Sequence, residues 1–283
     1  MPRVSVLTPL YNTNPAHLRE MIESILNQTF TDFEFLILND SPQNTEIEEI
    51  VKSYKDKRIK YFRNEKNMGI TPSRNKLLKM ARGEYVAVFD HDDISVPERL
   101  AISVDFLDKN PHIGVVSGWL QFFGTVDTLL KNPEWDTDIK ICLTEDCFVA
   151  HTASMIRKSV LTDNNIEYEE YYTPAEDYRL WARLMDVTNF HNLQMVLVKY
   201  RMLSTNTTVT QRIQMERAHD SICLQLQNKY PVYYNKYYQK YRRHSGKSTR
   251  FRLRLFGFIP LIKIKQNKIY LFECILICKC YWR

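Results

Sequence analysis

Carboxylate side chains are concentrated at two places in this sequence. Asp90, Asp92 and Asp93 fall within four consecutive residues, and Glu176 and Asp177 are adjacent to each other. Like charges this close are unfavourable unless a cation or solvent compensates them. Mg²⁺ and Mn²⁺ take oxygen ligands, often one or two carboxylates together with substrate phosphates. The first group therefore predicts either a divalent-metal site or a solvated acidic turn before a helix.

The pair Glu176 and Asp177 stands at the start of a predicted helix over residues 175–186. Acidic side chains at this position can cap the helix and complement its dipole. A carboxylate can equally act as a general base that takes the proton from a reacting hydroxyl. The residues alone leave both interpretations open.

The strands and helices that would position these acids alternate along the first half of the chain. Apolar and β-branched runs predict strands over residues 4–8, 33–38, 59–62, 85–89 and 113–119. Asn14–Pro15 and Thr71–Pro72 each pair an N-cap residue with Pro at the first helical position, which predicts helices over 14–27 and 71–81. Further helices are predicted over 45–54 and 97–109. This alternation is typical of a doubly wound α/β fold with a mostly parallel sheet flanked by helices.

The pattern is less regular after residue 120. Residues 149–157 and 195–202 are predicted to be strands, and residues 210–244 are predicted to be helical with an interruption at Pro231. Ligands of α/β sheets bind at the carboxyl ends of the strands. Tyr11, Asp40 and the acidic group at 90–93 all follow predicted strands directly, so the sequence predicts that they meet at one edge of the sheet.

Five short motifs occur in a fixed order along the chain. They are Pro9-Leu10-Tyr11-Asn12, Asn39-Asp40-Ser41, Asn67-Met68-Gly69 with Arg74-Asn75, Asp90-x-Asp92-Asp93 and Glu176-Asp177. In this order the sequence resembles the family 2 glycosyltransferases of the GT-A fold, over about residues 3 to 205. It is similar in particular to bacterial enzymes of surface polysaccharide, lipopolysaccharide or lipooligosaccharide synthesis.

The resemblance implies a role for each motif. Asp177 would be the catalytic base, and Asp92, with Asp90, would hold a divalent metal, Mn²⁺ or Mg²⁺. Tyr11 and Pro9 would flank the base of the nucleotide, Asp40 would accept a hydrogen bond from uracil, and Arg74 would lie near the base and ribose. The implied nucleotide-sugar-binding residues are Pro9, Tyr11, Asp40, Asn67, Gly69, Arg74, Asp90 and Asp93. His151 lies where relatives have an acceptor-side strand, and its role stays open.

The activity implied is inverting, metal-dependent transfer of one sugar from a nucleotide-sugar donor, preferably a UDP-sugar, to a saccharide or glycolipid acceptor. The sequence departs from the family pattern at Asn39, where relatives carry a second acid, and at Leu203, where many carry His after Tyr200-Arg201. Processive relatives carry a QxxRW motif, and its absence favours transfer of a single sugar. A nucleotidyltransferase and a non-catalytic nucleic-acid-binding protein are the alternatives. The first would need a glycine-rich phosphate loop that this sequence lacks, and no nucleic-acid-binding motif supports the second.

Charge divides the chain into two regions. From Lys229 onward there are 14 of the 39 Lys and Arg residues but only one acid, Glu273, so 25 basic and 32 acidic residues precede it. Basic residues mixed with aromatic ones suit a membrane interface. We therefore expect a catalytic domain at 1–205 and a helical, basic and aromatic region at 206–283 that associates with an anionic membrane surface.

Composition limits the remaining possibilities. Hydrophobic residues make up 44% and charged residues 25% of the chain, as in ordinary globular proteins. No run approaches the ~20 apolar residues of a membrane-spanning helix, and the N-terminus does not resemble a signal peptide. The expectation is a cytoplasmic protein, peripheral at the inner face of the membrane. The six cysteines lack paired CxxC units and are expected to be reduced, small apolar residues rather than a metal site.

Overall fold

The structure is a computed structural model that describes residues 1–242, 263–265 and 268–270. A nine-stranded sheet forms its centre, in the strand order β3-β2-β1-β4-β8-β6-β9-β5 with β7 paired to β6. The strands are β1 Val4–Leu10, β2 Phe33–Asn39, β3 Ile59–Arg63, β4 Tyr85–Val88, β5 Ile94–Ser95, β6 Ile113–Gly124, β7 Thr128–Leu130, β8 Met155–Arg157 and β9 Asn189–Met202.

Helices cover both faces of this sheet. In the part of the chain that the structure describes, they are α1 Pro15–Leu26, α2 Thr45–Ser53, α3 Ile70–Met80, α4 Arg99–Lys109, α5 Asp136–Leu143, α6 Lys158–Asp163, α7 Glu176–Leu184, α8 Thr207–Thr210, α9 Arg212–Lys229 and α10 Pro231–Tyr237. Two short 3-10 helices, His151–Ala153 and Glu170–Tyr172, and a π-helical turn, Tyr238–Arg242, complete them. The predicted α/β fold with a mostly parallel sheet flanked by helices is confirmed.

The sheet has a regular and an irregular half. Strands β3, β2, β1 and β4 are all parallel neighbours, joined by helical crossovers. Strand β8 then runs antiparallel between β4 and β6, while β6 and β9 are parallel along almost their whole length. Every residue of β1 and β2 is buried, and most of these residues are apolar. This composition is typical of strands covered on both faces, and it allowed both strands to be predicted from the sequence.

Two local predictions were wrong, and each has a physical reason. Helix α3 does not use Thr71 as its N-cap: Gly69, at a φ of +89°, turns the chain into the helix, and Thr71 already lies in the first turn. The predicted strand at 149–157 is only β8, because His151–Ala153 coils into a 3-10 turn whose carbonyl at His151 accepts bonds from Ser154 N and Oγ. The Asn14 cap of α1 is confirmed, since its Oδ1 accepts a bond from Ala16 N at 2.9 Å.

The region after residue 205 begins as helices that pack onto the body of the protein. Ile222, Cys223 and Leu226 of α9 join the same buried cluster as Trp181 of α7. Pro231 separates α9 from α10, as predicted. The helical prediction does not extend to Lys263–Lys265 and Lys268–Tyr270, which pair as antiparallel strands.

Two further expectations concern cysteines and membrane spans. Cys142, Cys147 and Cys223 are buried and free, as expected of apolar thiols in a reduced chain, whereas Cys274, Cys278 and Cys280 lie outside the described residues. Within the described residues, every helix is too short or too polar to cross a membrane.

Candidate active site

A cavity of about 1120 Å³ opens at the carboxyl ends of β1, β2 and β4. Its opposite walls come from β6, β9 and the helices α7 and α9. Ligand sites typically enclose roughly 300–1,000 Å³, so this cavity is slightly larger than the usual range. The predicted site residues that line it are Pro9, Tyr11, Asp40, Asn67, Gly69, Arg74, Asp90, Asp92 and Asp177. One predicted residue, Asp93, does not.

The loop after β1 presents an aromatic side chain to the cavity. Tyr11 is 49% exposed although it is a large ring, and Asn12 beside it has a φ of +46°. The Asn12 backbone N–H donates to Ser41 Oγ at 2.7 Å, which ties this loop to the one that follows β2. Tyr11 therefore presents an exposed aromatic ring at the rim of the cavity.

Asp40 organises the neighbouring loop. Its Oδ1 accepts bonds from Asn64 Nδ2 at 2.7 Å and Met68 N at 2.8 Å, and its Oδ2 accepts from Gly69 N at 2.8 Å. The residue is only 3% exposed. The carboxylate thus holds the Asn-x-Gly turn in place. The predicted hydrogen bond from uracil would be a fourth bond to this carboxylate.

Asp90 and Asp92 reach the cavity, and they differ in their partners. Asp90 Oδ1 accepts a bond from Arg74 Nη2 at 3.0 Å. The Asp92 carboxylate has no ion pair among the described residues. Burial and the nearby Asp90 charge raise its pKa, although His91 and His17 oppose that rise. A carboxylate in this state gains by binding a cation.

Asp93 lies behind the cavity rather than in its wall. It is fully buried, its Oδ2 accepts a bond from Thr152 Oγ1 at 2.9 Å, and its Oδ1 accepts from Arg201 N at 2.9 Å. Asp90 N in turn donates to the same Thr152 oxygen at 3.2 Å. Asp93 therefore holds the acidic loop, residues 90–93, in place. Because its side chain is buried and does not line the cavity, it is not positioned for the predicted direct contact with a nucleotide-sugar donor.

Arg74 joins the two groups of acids. Its guanidinium pairs with Glu176 on one side and Asp90 on the other, and its side chain is only 11% exposed. The resemblance placed Arg74 near a base and ribose, but the structure places it between the acidic loop and the start of α7. Burial raises the pKa of Glu176 to about 6, even though Arg74 opposes the rise.

Asp177 lines the cavity at the first turn of α7. Its Oδ1 accepts a bond from Tyr178 N at 2.7 Å. Burial raises its pKa, a shift that the Arg74 charge opposes and the Asp90 charge adds to. Glu176 also lines the cavity, and its carboxylate pairs with Arg74. The helix start therefore has one carboxylate paired with an arginine, Glu176, and one, Asp177, that has no ion pair within the part of the chain that the structure describes.

His151 is buried beside this helix. Its Nε2 lies 2.8 Å from the Tyr168 hydroxyl, and burial, with the charges of Arg74 and Arg99, keeps its pKa well below the usual value. The ring is therefore neutral and packs against Trp181, 5.9 Å away between ring centroids.

Sequence reasoning missed the wall contributed by α9. Arg212, Met215, Glu216 and His219 line the cavity from a helix whose sequence shows little amphipathic pattern. Burial disfavours a charge on His219, but hydrogen bonds to Asp146, Asp220 and Cys223 outweigh it and raise its pKa to about 11. Local sequence carries no signal for this wall, because it depends on how α9 docks.

The cavity as a whole is acidic. Six carboxylates line it against two arginines and the charged His219; the acids are Asp40, Asp90, Asp92, Glu176, Asp177 and Glu216. An anionic ligand would be repelled here unless a cation entered with it.

The curled α/β sheet, with an acidic loop after its fourth strand and a cavity at the strand ends, defines the nucleotide-sugar transferase class of the GT-A fold. The family model "Glycosyl transferase family 2" matches residues 5–164. An uncharacterised glycosyltransferase of Methanocaldococcus jannaschii is 37% identical over 207 residues, which are 71% of this chain and 71% of that protein. This chain belongs to glycosyltransferase family 2.

One similar protein with a named activity is the Escherichia coli UDP-Gal:alpha-D-GlcNAc-diphosphoundecaprenol beta-1,3-galactosyltransferase. It is 30% identical over 207 residues, 71% of this chain and 74% of that protein. Two solved structures share the fold. S. aureus TarS with UDP-GlcNAc has a TM-score of 0.63 at 22% identity, covering 81% of this chain and 73% of that one. Pyrobaculum calidifontis PcManGT with GDP-Man and Mn²⁺ has a TM-score of 0.62 at 15% identity, covering 84% and 69%.

Proposed function

We propose that this glycosyltransferase moves a single sugar from a UDP-sugar to a hydroxyl of a saccharide or glycolipid acceptor, with inversion and with a divalent metal. The observation that carries the proposal is the presence in one cavity of two carboxylates, Asp92 after β4 and Asp177 at the start of α7, that have neither an ion pair nor a hydrogen bond from another side chain among the described residues. One is suited to a metal and the other to a proton.

The residues at the acidic loop fit a hard divalent cation. No group of three His, Cys, Asp or Glu side chains in the described part of the chain is arranged as a complete ligand set. Mg²⁺ and Mn²⁺, however, are commonly held by one or two carboxylates, with the rest supplied by substrate phosphates and water. Asp92 would be the direct ligand, since Arg74 already occupies Asp90. The metal would neutralise charge that develops on the leaving diphosphate.

Asp177 would supply the base. An acceptor hydroxyl bound beside α7 would give its proton to the Asp177 carboxylate as its oxygen attacks the anomeric carbon. The bond from that carbon to the diphosphate oxygen breaks as the new one forms, so the configuration inverts and no covalent enzyme intermediate is needed. The raised pKa of Asp177 strengthens it as a base, while Arg74 keeps its neighbour Glu176 paired.

The donor assignment rests on the base end of the cavity and on relatives. Tyr11 offers an open ring at the rim, and Asn67 and Gly69 offer a turn held by Asp40. The E. coli relative is named as a UDP-Gal-dependent enzyme that acts on a lipid diphosphate-linked sugar. The ring and the turn suit the base of a nucleotide, and the name of the E. coli relative favours UDP over GDP and a glycolipid acceptor of surface-polysaccharide or lipopolysaccharide synthesis.

A donor screen tests the function directly. The full-length protein is incubated with UDP-, GDP- and dTDP-sugars and Mn²⁺, and release of the nucleoside diphosphate is measured with and without EDTA. Release from one UDP-sugar that stops in EDTA is expected. Release of pyrophosphate instead would indicate a nucleotidyltransferase.

We also propose that the basic region from Lys229 onward holds the enzyme at the cytoplasmic face of a membrane. Its support is the excess of basic over acidic residues there, together with the aromatic side chains among them. Flotation with liposomes tests this: binding to anionic vesicles should exceed binding to neutral ones and weaken as salt rises. Equal flotation with both would contradict it.

A further inference from the structure

Arg201 stands at the end of β9, next to the acidic loop but outside the cavity wall. Its side chain is 11% exposed, and it is absent from the residues that line the cavity. The sequence drew attention to this position only because Leu203 replaces a histidine two residues later. The structure shows a different connection, which runs through the backbone of the acidic loop.

Three contacts fix the Arg201 side chain. Its Nε donates to the backbone carbonyl of Asp92 at 2.8 Å, and its Nη2 donates to the carboxylate of Glu20 on α1. The guanidinium lies over the ring of Phe123, 4.5 Å from the ring centroid. One planar group thus joins the loop, helix α1 and strand β6, a geometry that the single nitrogen of lysine cannot reproduce.

The backbone of Arg201 adds two further connections. Its N–H donates to Asp93 Oδ1 at 2.9 Å, and its carbonyl accepts a bond from Asn206 Nδ2 at 2.9 Å. Asn206 belongs to the segment after β9 that forms part of the cavity wall. Arg201 therefore lies at the junction between the acidic loop and this wall.

We propose that Arg201 is a positioning residue that orients the Asp92 carboxylate toward the metal. It does so by donating a hydrogen bond to the backbone carbonyl of Asp92. The carbonyl and the side chain of Asp92 share one Cα, so fixing the carbonyl limits rotation of the residue. On the other side of the loop, Thr152 binds Asp93 and Asp90 N, so Arg201 and Thr152 clamp it at both ends. This inference rests on the metal role of Asp92 in the proposed function.

The Arg201→Lys and Arg201→Met variants separate positioning from general stability. Both keep the backbone bonds of residue 201 and lose the bond to the Asp92 carbonyl or its geometry. Partners that orient a metal ligand typically contribute 10- to 100-fold in metal affinity. We expect Mn²⁺ binding in the presence of saturating UDP to weaken by about that factor, while UDP affinity without metal stays unchanged.

Glu20→Gln is the matched control. It removes the negative charge of the outer partner, Glu20, whose side chain is 51% exposed, and leaves the contact between Arg201 and the Asp92 carbonyl in place. An exposed ion pair contributes little, so Mn²⁺ affinity should stay within about threefold of wild type. Melting temperatures without metal identify variants that fold, and Arg201→Gln serves in place of any that does not.

The Mn²⁺ affinities, measured by electron paramagnetic resonance of free Mn²⁺, decide between the outcomes. If wild type and Arg201→Lys bind Mn²⁺ equally, or if Glu20→Gln loses as much affinity as Arg201→Lys, the positioning role is overturned. If wild type itself binds no Mn²⁺ in the presence of UDP, the metal dependence in the proposed function is wrong, and this inference is wrong with it. A lower melting temperature with unchanged Mn²⁺ affinity would show a purely structural role, which also overturns it.

Discussion

The two sides of the cavity are built in different ways. The side that we propose binds the nucleotide, the nucleotide side, consists of loops that each follow a parallel strand directly, after β1, β2 and β4. The opposite side combines β6, β9, α7 and α9, which are distant in sequence and are brought together by packing. The first side could be predicted from strand ends alone, whereas the second required the docked helices.

The two sides also differ in how their charges are held. On the nucleotide side Asp40 accepts three hydrogen bonds from its loop and Asp93 accepts bonds from Thr152 and Arg201, whereas the Asp92 carboxylate has neither an ion pair nor a side-chain hydrogen bond among the described residues. On the opposite side Glu176 pairs with Arg74, which leaves Asp177 in the same condition. On each side most acids are held by other groups of the protein and one is not, and the proposed role of each of these two acids can be tested separately.

The largest effect is expected at the nucleotide side from Asp92→Ala. Removing the metal ligand should abolish metal-dependent transfer and Mn²⁺ binding, with the melting temperature near that of wild type because no ion pair is lost. Transfer is measured with the donor that the screen identifies, with and without EDTA. Near-normal activity of this variant in EDTA would contradict the assignment of a metal site to Asp92.

On the opposite side, Asp177→Asn should lower kcat by roughly 10²- to 10⁴-fold, the usual contribution of a general base. Asn retains the oxygen that accepts from Tyr178 N, so the helix start should stay intact. UDP binding, measured by calorimetry, should change little. Unchanged transfer would leave Asp177 as a helix cap, and lost UDP binding would place it on the nucleotide side instead.

The pH dependence of wild type provides a second test of Asp177. The base must be deprotonated to act, and burial raises its pKa above the ordinary value for aspartate. The kcat should therefore fall as the pH falls through this raised pKa, and the acid limb should lie above the pH at which exposed aspartates titrate. In Asp177→Asn the residual rate should lose this limb. A limb that persists in the variant would assign it to another group, with Glu176 the nearest candidate.

A moderate effect on donor affinity is expected from Tyr11→Ala. Stacking of a base on an aromatic ring contributes ~1–3 kcal/mol, so UDP should bind roughly 10- to 100-fold more weakly. Tyr11→Phe keeps the ring and should bind UDP nearly as wild type does. Equal binding by all three proteins would show that the exposed ring is not the platform for the base.

The last effect is on stability rather than on transfer or binding, and it concerns the docking of α9 through His219. Its pKa is raised to about 11, so its stabilising contribution is complete below pH 6.5 and is lost progressively as the pH rises toward 11. The free energy of unfolding should therefore fall above pH 6.5, by at most about 1.4 kcal/mol per pH unit for one proton. Denaturant unfolding from pH 6 to pH 9 measures this slope. His219→Gln and Asp146→Asn should both flatten it, and an unchanged slope in both would exclude the pair as its source.

The sequence by itself determined the fold class and one side of the active site. Buried parallel strands such as β1 and β2 are mostly apolar, so their ends, and therefore Tyr11, Asp40 and the acidic loop, could be located without coordinates. The close spacing of Asp90 and Asp92 directly after a predicted strand is visible in the amino-acid sequence. No packing information is needed to place such residues at the sheet edge.

The tertiary structure alone decided which of these acids are free. Arg74 meets Glu176 across 102 residues, and Arg201 reaches the Asp92 carbonyl across 109. The partner of a long, charged side chain depends on which elements pack beside it, and this packing cannot be predicted from the local sequence. For the same reason Asp93 could be recognised as part of an acidic motif, but only the packing of β9 and Thr152 against it shows that it is a structural acid.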